Sequence, residues 1–360
     1  TDKNGPSATS IRNDQLIGVQ ALPTSQSRTS DSWFAELAFP ILDNLELSAA
    51  VRDESFSTGQ GAVVDKFGLV YVPTDWLSMR ATMGEAFIVP TLSQLNSPEV
   101  CGLSNVDDLF SPFQGFITSC RTGNPNLFSE GSESLSFGVD LALLDNLTWS
   151  LTWSETDFVD RIVSTTTQDI IRSDYRNFRE ASGFNPTDAN PYPTLAQLQS
   201  WMNDPRSDKR IIRNAADITT PDRILQSDSN ASSMLVRAWD TQIDYDFSLD
   251  DLSLNGWGDI SMQLQATYVD TYSFQMAADL PVMEAVGRQN NDFGAVPTIP
   301  QIRANLRINW SLGNHTVSTT TRFIDEVSFD ANEFSFQQFF PGAEWGGPTE
   351  SLRAWTQLDM

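Results

Sequence analysis

The sequence predicts an all-β protein: an antiparallel up-and-down transmembrane β-barrel, present here as about eleven strands of a larger sheet. Three observations point there. Apolar and polar residues alternate with period two in many separate segments. Short, turn-like connections and long connections alternate strictly along the chain. Aromatic residues gather near the strand ends.

The first strand is expected near 33–41. Leu45-Glu46-Leu47-Ser48-Ala49-Ala50-Val51-Arg52 follows, then a segment near 62–72 and Leu77-Ser78-Met79-Arg80-Ala81-Thr82-Met83. Leu135–Leu141 and Leu147–Ser154 come next, the latter with Leu and Trp on one face and Thr and Ser on the other. Trp239–Phe247, Ile260–Tyr268 and Ile302–Trp310 repeat the pattern, with weaker cases near 315–328 and 352–360. Successive side chains of a strand point to opposite faces, so each segment has one apolar and one hydrophilic face.

The tight connections are Leu42-Asp43-Asn44, Pro73-Thr74-Asp75, Leu144-Asp145-Asn146, Leu312-Gly313-Asn314 and the slightly longer Asp250–Trp257. Their residues tolerate the backbone conformations of a hairpin turn. The long set falls near 53–61, 88–132, 161–232, 275–299 and 329–351. In a meander this places every long loop at one end of the sheet. A soluble sandwich has no reason to segregate its loops, whereas outer-membrane barrels do. The aromatics Trp33, Phe34, Tyr71, Trp76, Trp257, Tyr268, Tyr272, Trp310 and Trp355 lie where an interfacial girdle would sit. Because hydrocarbon offers no water to an open strand edge, such a sheet must close. Thr1 is no initiator Met, and the last residues stop within an alternating strand, so an internal fragment is expected.

Composition narrows the function. Formal charge is −25, from 47 acidic and 22 basic residues, which would repel phosphate, so no nucleic-acid partner is expected. No apolar run approaches the ~18 residues of a spanning helix. Aromatics make up 11%, against wholesale disorder. With one histidine, His315, in a turn after Gly313-Asn314, no metal, cofactor or Ser-His-Asp arrangement is expected. The acid pairs Asp107-Asp108 and Asp250-Asp251 read as solvated loop or turn groups, and no enzyme is expected.

Cys101 and Cys120 flank a stretch rich in Ser, Gly, Pro and Asn. A disulfide closing a long loop in an oxidising compartment is expected; two unrelated buried thiols are the alternative. Gly102–Ser119 shows too little apolar periodicity for a core, which favours the bridge.

Two blocks carry a resemblance. Leu69-Val70-Tyr71-Val72-Pro73-Thr74-Asp75-Trp76-Leu77-Ser78-Met79-Arg80-Ala81 leads to Gly84-Glu85-Ala86-Phe87-Ile88-Val89-Pro90-Thr91-Leu92-Ser93-Gln94-Leu95. Gly123-Asn124-Pro125-Asn126-Leu127, Glu130 and Ser132–Val139 then follow, with Asp157–Val163 and Pro300–Asn305 further on. From about residue 30 onward the chain resembles the barrel of TonB-dependent outer-membrane receptors. The physical content of the blocks is structural: Pro73 fixes a turn, Asp75 can bond backbone amides, and Pro90 stops a strand.

The resemblance implies a barrel of roughly 22 strands around a plug. It also implies import of a scarce solute such as a siderophore-bound iron, a cobalamin-like molecule or an oligosaccharide. The implied partners are the lipid bilayer with lipopolysaccharide, the TonB protein acting through an N-terminal plug, and a small-molecule ligand. The implied place is the outer membrane of a Gram-negative bacterium. Residues 1–360 then form one partial barrel domain lacking the plug and last strands, with 88–132 and 161–232 as extracellular loops. Arg52, Arg80 and Asp140 are expected to face the lumen. Tyr192, Trp201 and Arg210 in the second loop offer stacking and ion pairing to a ligand; the competing reading is that they pack the loop. A passive porin or a soluble β-rich carbohydrate-binding module are the alternative functions.

Overall fold

The computed structural model describes residues 2–4, 24–187, 190–275, 282–289, 296–329 and 350–359. The expected loops at 275–299 and 329–351, and the chain ends at Thr1 and Met360, lie partly or wholly outside the described residues. Eleven strands form one antiparallel wall in which every strand pairs with its neighbours along the chain. They are β1 (Ser30–Leu42), β2 (Leu45–Phe56), β3 (Gly61–Thr74), β4 (Leu77–Ile88), β5 (Glu130–Leu144) and β6 (Leu147–Ser164). The rest are β7 (Asp228–Ser248), β8 (Asp259–Gln275), β9 (Ile302–Leu312), β10 (His315–Ile324) and β11 (Trp355–Asp359). Among the described residues the wall is open, with β1 and β11 as its edges.

Register fixes the faces. Trp149 stands opposite Leu141 and Ile243, and Trp153 opposite Phe137 and Trp239, on one side of the wall. Ser150 stands opposite Asp140 and Gln242 on the other, with Thr152 between Gly138 and Asp240. Among the described residues only two buried apolar side chains, Val163 and Phe274, belong to wall strands, and both sit near the loop ends. No layer among the described residues therefore covers the apolar face, as a surface made for lipid requires. The indole N–H of Trp149 is still satisfied: it donates to Thr241 Oγ1 at 2.8 Å, whose hydroxyl donates to the Ser150 carbonyl at 3.1 Å.

β7 begins at Asp228, inside the loop expected at 161–232, and two further boundaries differ from expectation. The connection expected to be long at 53–61 is a tight turn closed by Phe56 N–H donating to the Gln60 carbonyl at 2.9 Å. Alternation fails to reveal this because Asp53 sits on the apolar side, where Trp33 Nε1 donates to its carboxylate at 3.1 Å. The segment expected at 315–328 breaks after Ile324. Asp325 N–H donates to Ile302 O at 2.9 Å, and Val327–Phe329 pairs with Glu350–Leu352 away from the wall.

The turn between β7 and β8 depends on Gly258. Its φ is +89°, and a Cβ there would stand 2.0 Å from the Ser311 carbonyl oxygen. Gly258→Ala is expected to cost about 1–3 kcal/mol through backbone strain and displacement of β9. A lower unfolding temperature on heat-modifiability electrophoresis checks this.

The dry core lies in the loops. Chain 89–129 and chain 165–227 fold together into a cluster with a four-stranded sheet and three helices. The helices are α1 (Leu92–Asn96), α2 (Thr167–Ser182) and α3 (Leu195–Asn203). Each begins with a reciprocal capping box, Thr91 with Gln94, Thr166 with Asp169 and Thr194 with Gln197. The sheet is the hairpin Val100–Asp107/Gln114–Arg121, with Pro221–Gln226 parallel to its second strand and Ile211–Arg213 outermost.

One side of the hairpin contributes Val106 and Ile117 to a buried cluster with Ile170, Ile171 and Ile224. This corrects the expectation that Gly102–Ser119 builds no core: its apolar partners arrive from far along the chain, so local periodicity cannot show them. A second cluster joins Phe110, Tyr175, Phe178, Leu198 and Trp201.

Candidate functional site

Two surfaces can meet a solute: the loop cluster and the polar face of the wall. The cluster is seated on the wall by polar contacts. Asp228, almost fully buried at the start of β7, accepts from Arg121 and from the Ser164 hydroxyl. Asn230 donates to the carbonyls of Phe128 at 3.0 Å and Asp160 at 2.7 Å, and accepts from Phe128 N–H. Asp160 itself has φ 56°, at the bulge where β6 leaves regular pairing.

Within the cluster Cys101 and Cys120 form a disulfide across the hairpin. Glu99 lies beside it and pairs with Arg223, whose Nε donates to Cys120 Sγ at 3.1 Å. Both sulfurs are spent on the bridge, so these three side chains do not make a metal site. At the centre of the cluster the Arg213 guanidinium meets the Asp108 carboxylate through two 2.8 Å bonds, both side chains almost wholly buried.

The three loop residues singled out in the sequence have different fates. Trp201 is 4% exposed, packs on Phe178 with ring centroids 5.7 Å apart, and donates to Asp174. It is a core residue, which corrects its reading as a ligand contact: an indole in a mixed polar loop looks the same in sequence whether it packs or projects. Arg210 folds back on Asp208 at 2.6 Å while keeping part of its surface in solvent. Tyr192 is exposed. The structure does not bring Tyr192 and Arg210 into contact with each other through any described bond.

The wall residues are better connected. Arg80 reaches from β4 across β5, pairing with Asp140 and donating to Thr152 of β6. It can lie flat because Gly138 is beneath it; a Cβ there would stand 2.6 Å from the Arg80 Cζ. Arg52 pairs with Glu54 on the same strand at 2.5 Å. Further along the polar face Gln263 donates to Asp244 at 2.8 Å, Gln265 to Gln242 at 3.2 Å, and Thr267 to Asp240 at 2.5 Å. Ser150, Thr152, Asp240, Gln242, Gln265 and Arg303 line a concavity of about 460 Å³ on this face. A second concavity of about 430 Å³ adjoins it at Ser150 and Gln242. Amides, hydroxyls and paired charges of this kind hold water and polar solutes; they bring no nucleophile to a base.

Alternation assigns Arg52, Arg80 and Asp140 to the polar face of their strands but names no partner for any of them. Sequence reasoning missed Asp174 and Arg213, and its reading of Asp108 as a solvated loop acid is corrected: the side chain is fully buried against Arg213, a partner 105 positions away that no local pattern reveals. The signals that were available are the three Thr-x-x-Gln/Asp capping boxes and the Ile170-Ile171-Asp174-Tyr175-Phe178 spacing, which has the period of a helix.

The family model described as TonB dependent receptor-like, beta-barrel matches residues 2–360. Among solved structures, the siderophore receptor PirA from Acinetobacter baumannii superposes with a TM-score of 0.55 at 12% identity, over 92% of this chain and 38% of its own. The ferric enterobactin receptor PfeA from Pseudomonas aeruginosa, in complex with BCV-L6, gives 0.57 at 14% identity, over 94% and 38%. At such identities the likeness carries the fold alone. No curated protein matches the chain. The chain spans a little over a third of the length of the solved receptors it resembles. An open meander with a bare apolar face, a hydrogen-bonded polar face and a match along nearly its whole length has one placement: this chain belongs to the TonB-dependent receptor β-barrel family.

Proposed function

We propose that this chain is part of an outer-membrane receptor that imports a scarce solute. In this reading the apolar face meets lipid and lipopolysaccharide in the outer membrane of a Gram-negative bacterium, and the polar face lines the bore. The long loops, with the folded cluster at 89–129 and 165–227, stand outside the cell. Energy arrives from the TonB protein through an N-terminal plug. A siderophore-bound iron is the first solute class, since PirA is a siderophore receptor and PfeA a ferric enterobactin receptor; a cobalamin-like molecule or an oligosaccharide are the others. Tyr192 and Arg210 are the loop groups with surface to offer an arriving ligand.

One observation carries the reading. The wall buries almost nothing on its apolar side while its polar side is cross-linked by hydrogen bonds, so each face is suited to a different solvent. The test is growth of a strain deleted for the full-length gene on single iron or carbon sources, with and without TonB. A TonB-dependent growth defect on one source is expected. Recovery of the full-length protein in the soluble periplasmic fraction would sink the membrane reading, and uptake indifferent to TonB would leave a passive porin.

A further inference from the structure

The loop cluster contains a buried carboxylate that solute capture does not require. Asp174 on α2 is 5% exposed. Its Oδ1 accepts the Trp201 indole N–H at 3.1 Å and the Asp208 backbone N–H at 2.8 Å. Both donors are neutral, and α3 carries no charged residue of its own. The charged groups acting on Asp174 are Asp208 and Arg213. Asp208 brings like charge and is itself held by Arg210. Arg213 is committed to Asp108.

We propose that the loop cluster carries a proton-operated clasp at Asp174, which tightens α2 against α3 in mild acid and slackens at neutral pH. Both donors meet Oδ1, so a proton on Oδ2 leaves both hydrogen bonds in place and removes the buried charge. A carboxylate taken out of water without a cation of its own favours its neutral form. Burial is the largest cause here and pushes Asp174 up to about 6, against an ordinary 3.8, with the two N–H donors opposing it less strongly.

The sign follows from linkage. The folded cluster holds the proton more tightly than the opened one, so protonation stabilises it. That stabilisation is fully present below the ordinary value and is lost as pH rises through about 6. Between about pH 5 and pH 7.5 the opening equilibrium grows by roughly tenfold. Looser loops near neutrality suit a capture element, because segments that move must come from the low-stability end of a structure. The clasp concerns the cluster's own equilibrium and holds whichever solute is carried.

Native-state hydrogen exchange on the full-length receptor in outer-membrane vesicles tests this, read over residues 198–213 and corrected for intrinsic exchange. Protection is expected to be about tenfold greater near pH 5 than near pH 7.5 in the wild type. Asp174→Asn, which keeps an oxygen acceptor without titrating, is expected to show the same protection at both. Equal protection at the two pH values in the wild type overturns the proposal, with or without a folded variant. A tenfold change that persists in Asp174→Asn overturns it as well.

Discussion

Arg213→Ala is expected to destabilise the loop cluster by about 3–5 kcal/mol, the usual cost of stranding a buried charge. The Asp108 side chain has no exposed surface and that of Arg213 only 3%. The guanidinium also lies 5.1 Å from the centre of the Phe110 ring, so its loss opens the aromatic cluster as well. Ser111 donates to Asp108 at 2.6 Å, which is not enough to hold an ionised carboxylate in a dry site.

The double replacement Asp108→Leu with Arg213→Met is expected to recover most of the loss, since it removes both charges together. The Ser111 hydroxyl, relieved of Asp108, would give its proton to the Thr219 carbonyl, 2.6 Å away. Trypsin digestion of intact cells reads the outcome. Cleavage within 165–227 should accelerate in the single variant while the barrel band stays intact. Unchanged cleavage would show that the pair does not hold the cluster together.

Leu151→Arg is expected to cost about 2–4 kcal/mol in barrel assembly, the penalty for a cation near the bilayer midplane. Leu151 lies on the bare side of β6, opposite Val139 and Thr241 and between two tryptophans on that face. Thr152→Arg, one position on, enters the polar side, where Asp240 stands directly opposite with a counter-charge. It gives up the bond from Arg80 to Thr152 and sets a second cation near that guanidinium, a loss that Asp240 offsets in part, so it should cost clearly less than Leu151→Arg. The folded fraction on heat-modifiability electrophoresis separates the two. Equal losses would contradict the assignment of faces and with it the membrane reading.

The wall was legible because its information is local. Each strand pairs with the next one along the chain, and two solvents act on its two faces, so period-two alternation reports both pairing and orientation. Leu147–Ser154 needs no distant partner to declare itself. The loop cluster is the opposite case. Asp108 and Arg213 are 105 positions apart, and Val106 meets Ile224 across a comparable span, so no window of sequence contains the pair. α2 was legible in principle, with its capping box and helical spacing, yet it lay inside a segment whose polar composition reads as loop. Trp201 shows the limit for single residues: its burial depends on Phe178 and Asp174, which only the fold places beside it.

The wall and the loop cluster owe their cohesion to different surroundings, one to acyl chains and the other to its own aromatic and aliphatic interior. Urea attacks peptide and apolar surface reached from water. It should dissolve the cluster at concentrations that leave the strands seated in the bilayer. Two thermal transitions rather than one are expected by calorimetry, with that of the loop cluster reporting on residues 89–129 and 165–227.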